Sequence, residues 1–219
     1  NFTDANNTPL GSFNPNEFSL DGGYALKLSP RFSTGVALRY VYSNLTGGQQ
    51  VGTLATKPAH TVAGDISGYY IKEVRMAGKK MDWATGINIS NIGAKVSYTE
   101  TVDKDFIPTN LRVGSSLATD LDEYNQVSFE FNINKLLVPT PPMYNDDGEI
   151  ISGLDPDVSV ISGIAQSFYD APYNDREVRE LIYSTGVEYW YDKQFAVRTG
   201  YFYEHPTKGD RQFFTLGAG

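Results

Sequence analysis

Few residues in this sequence are of a type and spacing that could do chemistry. His60 and His205 are its only imidazoles, 145 positions apart, and no serine sits in a G-x-S-x-G elbow. A Ser/His hydrolase needs nucleophile and base within hydrogen-bond reach. Nothing in the spacing brings such a pair together, and both histidines are expected in loops. Asn145-Asp146-Asp147-Gly148-Glu149 has the composition of a calcium loop but lacks the alternating oxygens and distal glutamate of an EF-hand, so it reads as a solvated acidic turn. Asn1, Asn6, Asn44 and Asn88 open glycosylation sequons by pattern, yet two of the four fall in or at the end of predicted strands. There are no cysteines, which removes disulfide scaffolds and thiolate metal sites and agrees with an exported bacterial protein. No catalytic, cofactor or metal residues are expected.

The charges that remain belong to strands. Arg39, Arg112, Glu130, Glu188 and Arg198 each alternate with apolar neighbours, which would place all five on one side of a sheet. There they would line a substrate path or form a network that holds the shape of a lumen. The clearest case is the hairpin at 181–204, with Tyr183, Thr185, Val187, Tyr189 and Tyr191 on one face of its first arm. Phe195, Val197, Thr199, Tyr201 and Tyr203 share one face of the second. With Asp192-Lys193-Gln194 as the turn, Tyr189 meets Val197 and Glu188 falls opposite Arg198 as an ion pair on the lumen side. Rows of tyrosine around an aliphatic middle suit a band that crosses a bilayer between aromatic girdles better than the core of a soluble sandwich.

Composition allows that reading. The 219 residues carry 15 Tyr and 21 Gly, and no apolar run approaches the roughly 18 to 20 residues of a helical span. A net charge of -8 without a Lys/Arg cluster argues against nucleic acid. Mean hydropathy is -0.35, as expected if lumen positions and loops dilute a lipid face. No charged n-region or apolar h-region precedes the first strand, and the last residues stand within an alternating strand, so the chain is expected to be a fragment of a longer protein.

Ten strands are predicted, at 17–29, 32–45, 62–74, 81–90, 92–100, 109–118, 123–136, the two hairpin arms and 211–219, with residues 1–16 as loop. Several are long enough to cross a membrane at a tilt. Tight turns are expected at Asn91-Ile92-Gly93, 119–122 and 192–194, facing the periplasm, with long loops outside. The connection 46–61 breaks that parity, being long on the short side. The fold expected is all-β, one transmembrane antiparallel barrel domain over 1–219 with a partly helical insertion at 137–180. In the insertion, Asp155-Pro156 reads as N-cap and N1 of a helix with Val158, Ile161, Ala165 and Phe168 on one face. Asn174 with Glu177 reads as the capping box of a second short helix. Val158, Ile161, Ile164 and Phe168 are the candidate partner-binding residues, because an exposed apolar patch on a rim marks a binding site or a plug.

The strings GINISNIG at 86–93, FIPTNLRVG at 106–114, NKLLVPTPP at 134–142, QSFYDAP at 166–172, YSTGVEY at 183–189 and YFYEH at 201–205 resemble the PorV family, also called LptO. Its members are outer-membrane proteins of the Bacteroidetes type IX secretion system. The first two strings are shared more loosely with FadL-like barrels and specify fold; the Pro-rich, SFYDAP and YFYEH strings point to PorV. Ala171-Pro172-Tyr173-Asn174 departs from the glycines expected after the proline. The resemblance implies a FadL-like barrel of fourteen strands in the bacterial outer membrane, in contact with its lipid, with about ten of the strands in this chain, and a non-enzymatic role. Such a protein accepts secreted cargo, recognised by its C-terminal domain, from the large SprA/Sov-like translocon barrel and passes it to the sortase attachment complex. Two rival readings are a FadL-type transporter of hydrophobic small molecules and a lipid-modifying enzyme. The first needs a continuous apolar pocket and the second a Ser or Asp within reach of an imidazole.

Overall fold

The computed structural model describes residues 2–3, 9–11, 14–45, 47–48, 50–51, 54–99, 104–172 and 177–219. The sequon residues Asn1, Asn6 and Asn7, the capping residue Asn174 and Tyr173 of the bend after Pro172 lie outside them.

Nine antiparallel strands form one sheet: β1 (Asn16–Lys27), β2 (Phe32–Asn44), β3 (Ala59–Met76), β4 (Lys79–Gly93), β5 (Asn110–Asp120), β6 (Asn125–Leu136), β7 (Leu181–Tyr191), β8 (Phe195–Tyr203) and β9 (Gln212–Ala218). Each strand lies beside its neighbours in sequence, so the sheet is a meander. Short ladders pair Phe2–Thr3 with Pro9–Gly11, so the first sixteen residues are not all loop. The insertion carries a helix, α1 (Val160–Gln166), and a 3-10 turn, Glu177–Glu180.

The tenth strand expected at 92–100 does not form over its described residues, 92–99. β4 runs on through Asn91 to Gly93 because Gly64 pairs with Ile92 and Ala63 with Gly93. Between Gly64 and Ile66 the register slips, so two residues of β4 oppose Asp65. Asn91 takes the left-handed φ of 59° there, and its N–H donates to Asp65 Oδ1 at 2.8 Å. The Asn-X-Gly signal read as a turn is a β-bulge, which also favours a left-handed Asn. Gly93 is needed at this point, since a Cβ would lie 2.5 Å from the carbonyl oxygen of Val62 and 2.9 Å from the Cα of Ala63.

With nine strands the connections sort by length. Turns at 28–31, 77–78, 121–124 and 192–194 all lie at one end of the sheet, and the connections 45–58, 94–109, 137–180 and 204–211 all lie at the other. The parity break attributed to 46–61 came from the strand that does not exist. At the short end Ala77 (φ 50°) and Gly78 (φ 79°) make a two-residue hairpin turn of the kind that matches strand twist. Asp122 accepts the N–H groups of Tyr124 and Asn125 at 2.9 Å each, which closes the turn two residues later than predicted.

Register runs unbroken from β5 to β9 and divides the sheet into two faces. One carries Leu20, Leu38, Val62, Ile87, Val113, Phe129, Val187, Val197 and Leu216; all are exposed, Leu38 by 69% and Leu216 by 87%. The other carries Gly, Ala and Ser together with Arg39, Arg112, Glu130, Glu188 and Arg198. Only Ala59, Ala63, Ala84, Leu137 and Ala196 are buried hydrophobics among the described residues. Among the described residues no second layer covers the apolar face, which is how this sheet differs from a soluble sandwich with its filled inter-sheet core.

Candidate functional site

The long-connection end is knit together, starting from the end of β6. Leu137 is buried, and its N–H donates to the carbonyl of Thr109 at 2.7 Å. Thr109 Oγ1 in turn donates to the carbonyl of Asn91 at 2.7 Å. Pro139, Pro141 and Pro142 then stop the strand, since proline has no N–H for the ladder. A two-strand ladder, Met143–Tyr144 with Ile150–Ser152, spans the acidic turn. In that turn Asn145 Oδ1 accepts the N–H groups of Asp147 and Glu149 at 3.1 and 2.7 Å.

The helix begins four residues later than the Asp155-Pro156 signal indicated. Ser159 is its N-cap and accepts from Ser162 N at 3.2 Å, whereas the Asp155 carboxylate is taken by the N–H of Asp157 at 2.9 Å. The helix ends at Gln166, whose side chain donates back to the carbonyl of Asp155 at 2.8 Å. Of the candidate partner-binding residues, only Ile161 and Ile164 therefore stand on α1; Val158 precedes it and Phe168 follows it. Ile161 is 71% exposed, while Val158 and Ile164 are half-buried. The helix sits over the 94–109 connection through Gly163, where a Cβ would lie 2.7 Å from the ring of Phe106. Lys95 braces the same contact, 4.3 Å over the Phe106 ring and 3.3 Å from Asp157.

Phe168, half exposed, lies elsewhere. It lines a groove of about 390 Å³ on the apolar face with Leu111, Val113, Ile133, Val178 and Leu181. At this groove Lys135 points to the apolar side of β6, only 6% of its side chain exposed, and bridges Glu177 at 3.1 Å and Glu180 at 2.7 Å. From the last connection Lys208 reaches the other oxygen of Glu180, also at 2.7 Å. Thr140 donates its hydroxyl to Glu180 and its N–H to Asp170. Burial raises the Asp170 carboxyl above its ordinary range, helped by the negative charges of Glu177 and Glu180 and opposed by the hydrogen bonds from Thr140. Burial acts on Glu180 in the same direction, but the hydrogen bonds from Lys135, Lys208 and Thr140 outweigh it and hold that carboxyl low. Sequence reading missed this cluster. Its members come from β6, the insertion and the 204–211 connection, and no local spacing joins them.

The register sets Glu188 opposite Arg198 on the polar face, and Tyr189 opposite Val197 and Tyr191 opposite Phe195 on the apolar face. The Arg198 guanidinium donates to the Glu188 carboxylate, which also accepts from Trp190 Nε1 at 2.6 Å. Arg39 is held between Asp21, Asp65 and Asn91, and Arg112 donates to Asn134 Oδ1 at 2.7 Å. The histidines do not meet. His60 lies in β3 rather than in a loop, its Nδ1 2.6 Å from the Tyr40 hydroxyl; the Nδ1 of His205 is 2.9 Å from Thr207 Oγ1.

The family model of the type IX secretion system protein PorV matches residues 2–143. The chain belongs to the PorV family. No curated protein matches it. The PorV match takes in β1 to β6 and the Pro-rich start of the insertion, so α1, the carboxylate cluster and the hairpin stand beyond it. The PorV family is a component of type IX secretion, and that general role is this chain's.

Proposed function

We propose that this PorV-family chain is an outer-membrane barrel wall whose long connections face the cell exterior and receive secreted proteins by their C-terminal domains. It takes them from the large translocon barrel and delivers them to the sortase attachment complex. The observation that carries the reading is the division of the sheet. One face is apolar and uncovered, the other is polar and small, and all long connections emerge at one end. That is the pattern of an outer-membrane barrel, with short periplasmic turns, longer outer loops and an apolar band towards lipid.

The insertion supports a binding role. Ile161 on α1 and Phe168 at the groove are exposed apolar residues on a segment held by buried ion pairs, a combination that suits a partner surface. Among the described residues the side chains bonded to the imidazoles are Tyr40 and Thr207, not the serine or aspartate that the lipid-modifying reading calls for. The test is the double variant Ile161→Ser, Phe168→Ser in the native host. The barrel should keep its heat-dependent gel shift while recovery of the translocon barrel and of cargo in pull-downs falls. Unchanged recovery removes the insertion as the contact site. Lost heat stability with binding retained makes it a structural plug. A FadL-type transporter would instead co-purify with a bound hydrophobic small molecule and without secretion partners.

A further inference from the structure

One oxygen from each of Asp170, Glu177 and Glu180 lies within 4.8 Å of the others. Asp170 is 1% exposed; its Oδ2 accepts from Thr140 N at 2.9 Å, and its Oδ1 has no hydrogen-bond partner. A buried carboxylate oxygen without a donor is costly, and proteins meet that cost with a proton, a water or a cation. We propose that Asp170, Glu177 and Glu180 form a divalent-cation site of the calcium class, which ties the bend at Asp170 to the 3-10 turn.

The donor set decides the class of ion. All three side chains offer hard carboxylate oxygens, and the hydroxyl of Thr140 lies beside Glu180, with no imidazole or thiolate among them. The donors come from a bend and a single 3-10 turn, an irregular frame that suits the flexible geometry of calcium better than the strict octahedron of magnesium. Charge sets the rest. Lys135 is buried between Glu177 and Glu180 and belongs to the site, whereas Lys208 is reached from another connection and is more exposed, 28% against 6%. Lys208 acts as a stand-in cation on Glu180 Oε1. When a divalent ion displaces it, three carboxylates and one ammonium remain, two negative charges against two positive.

The test is calorimetric titration of calcium chloride into the detergent-solubilised full-length protein after chelator treatment. One saturable site is expected in the range of about 10⁻⁴ to 10⁻³ M that extracellular calcium modules show. Asp170→Asn, which keeps shape and removes charge, should weaken it at least about tenfold, and Glu177→Gln likewise. Lys208→Met should tighten it several-fold by removing the competitor. Asp147→Asn, in the acidic turn, should change nothing. The proposal is overturned by no saturable heat up to about 10 mM, by an Asp170→Asn protein that binds as the parent does, by Lys208→Met weakening the site, or by loss of binding in Asp147→Asn. If Asp170→Asn fails to fold, Glu177→Gln and Lys208→Met decide the question.

Discussion

Replacing Lys135 with Met tests whether buried charge, rather than apolar packing, seats the insertion. The ammonium stands 3.1 Å from Glu177 and 2.7 Å from Glu180, with side chains 6%, 26% and 10% exposed. Methionine keeps the apolar stem beside Phe168 and deletes only the charge, leaving Glu177, Glu180 and Asp170 close together with Lys208 still paired to Glu180. Stripping one partner from a buried pair costs about 3 to 5 kcal/mol, chiefly because the remaining charge is uncompensated. At roughly 1.4 kcal/mol per tenfold, the lower figure raises the open population of the insertion about 100-fold. Limited proteolysis in calcium-free buffer reads this directly when opening is fast relative to cleavage. Cleavage within 137–180 should accelerate by about two orders of magnitude, while the barrel keeps its heat-dependent gel shift. Adding Glu177→Gln and Glu180→Gln to Lys135→Met should recover most of the protection. A cleavage rate within about threefold of the parent would refute the reasoning and make the seat an apolar one.

Arginine at Val187 or Leu38 should cost about 2 to 4 kcal/mol of barrel stability and at Ser184, on the polar face, less; the midpoint of the heat-dependent gel shift reports it, and equal tolerance at all three sites argues against lipid on the apolar face. Gly163→Ala gains about 1 kcal/mol of helix propensity but drives a methyl to 2.7 Å from the Phe106 ring and 3.1 Å from Pro139, an overpacking of about 1 to 3 kcal/mol, so faster amide exchange across α1 is expected and slower exchange would refute the contact. In calcium-free buffer the insertion should be best protected at mildly acidic pH. The raised Asp170 stabilises it below aspartate's ordinary 3.8, and that contribution is lost as pH rises through the raised folded value. The lowered Glu180 stabilises it above glutamate's ordinary 4.5, and that contribution is lost as pH falls through the depressed value. Exchange at the Thr140 amide should show both limbs, Asp170→Asn should flatten the alkaline one, and a profile unchanged in that variant would refute the assignment.

Much of the sheet was legible because its information is local. Side chains alternate with period 2, so Leu38 and Arg39, or Val187 and Glu188, declare opposite faces from the sequence alone. The three-residue turn at Asp192 then determines that Glu188 meets Arg198, since loop length sets hairpin register. Local signals misled where two structures use the same one. Asn91 and Gly93 mark a bulge as readily as a turn, and only the ladder to Ala63 and Gly64 tells them apart. Asp155-Pro156 carries a helix-start signal, but the helix starts after Ser159, where Gly163 seats on Phe106 and Gln166 returns to Asp155. The cluster of Lys135, Thr140, Asp170, Glu177, Glu180 and Lys208 had no local signal at all. Its members become neighbours only when the meander brings the 137–180 and 204–211 connections to one end of the sheet, and burial there raises Asp170 while paired lysines hold Glu180 low. Faces and registers follow from the chain's own geometry; a site assembled from distant connections, and the charge states within it, depend on the desolvation and pairing that tertiary packing alone supplies.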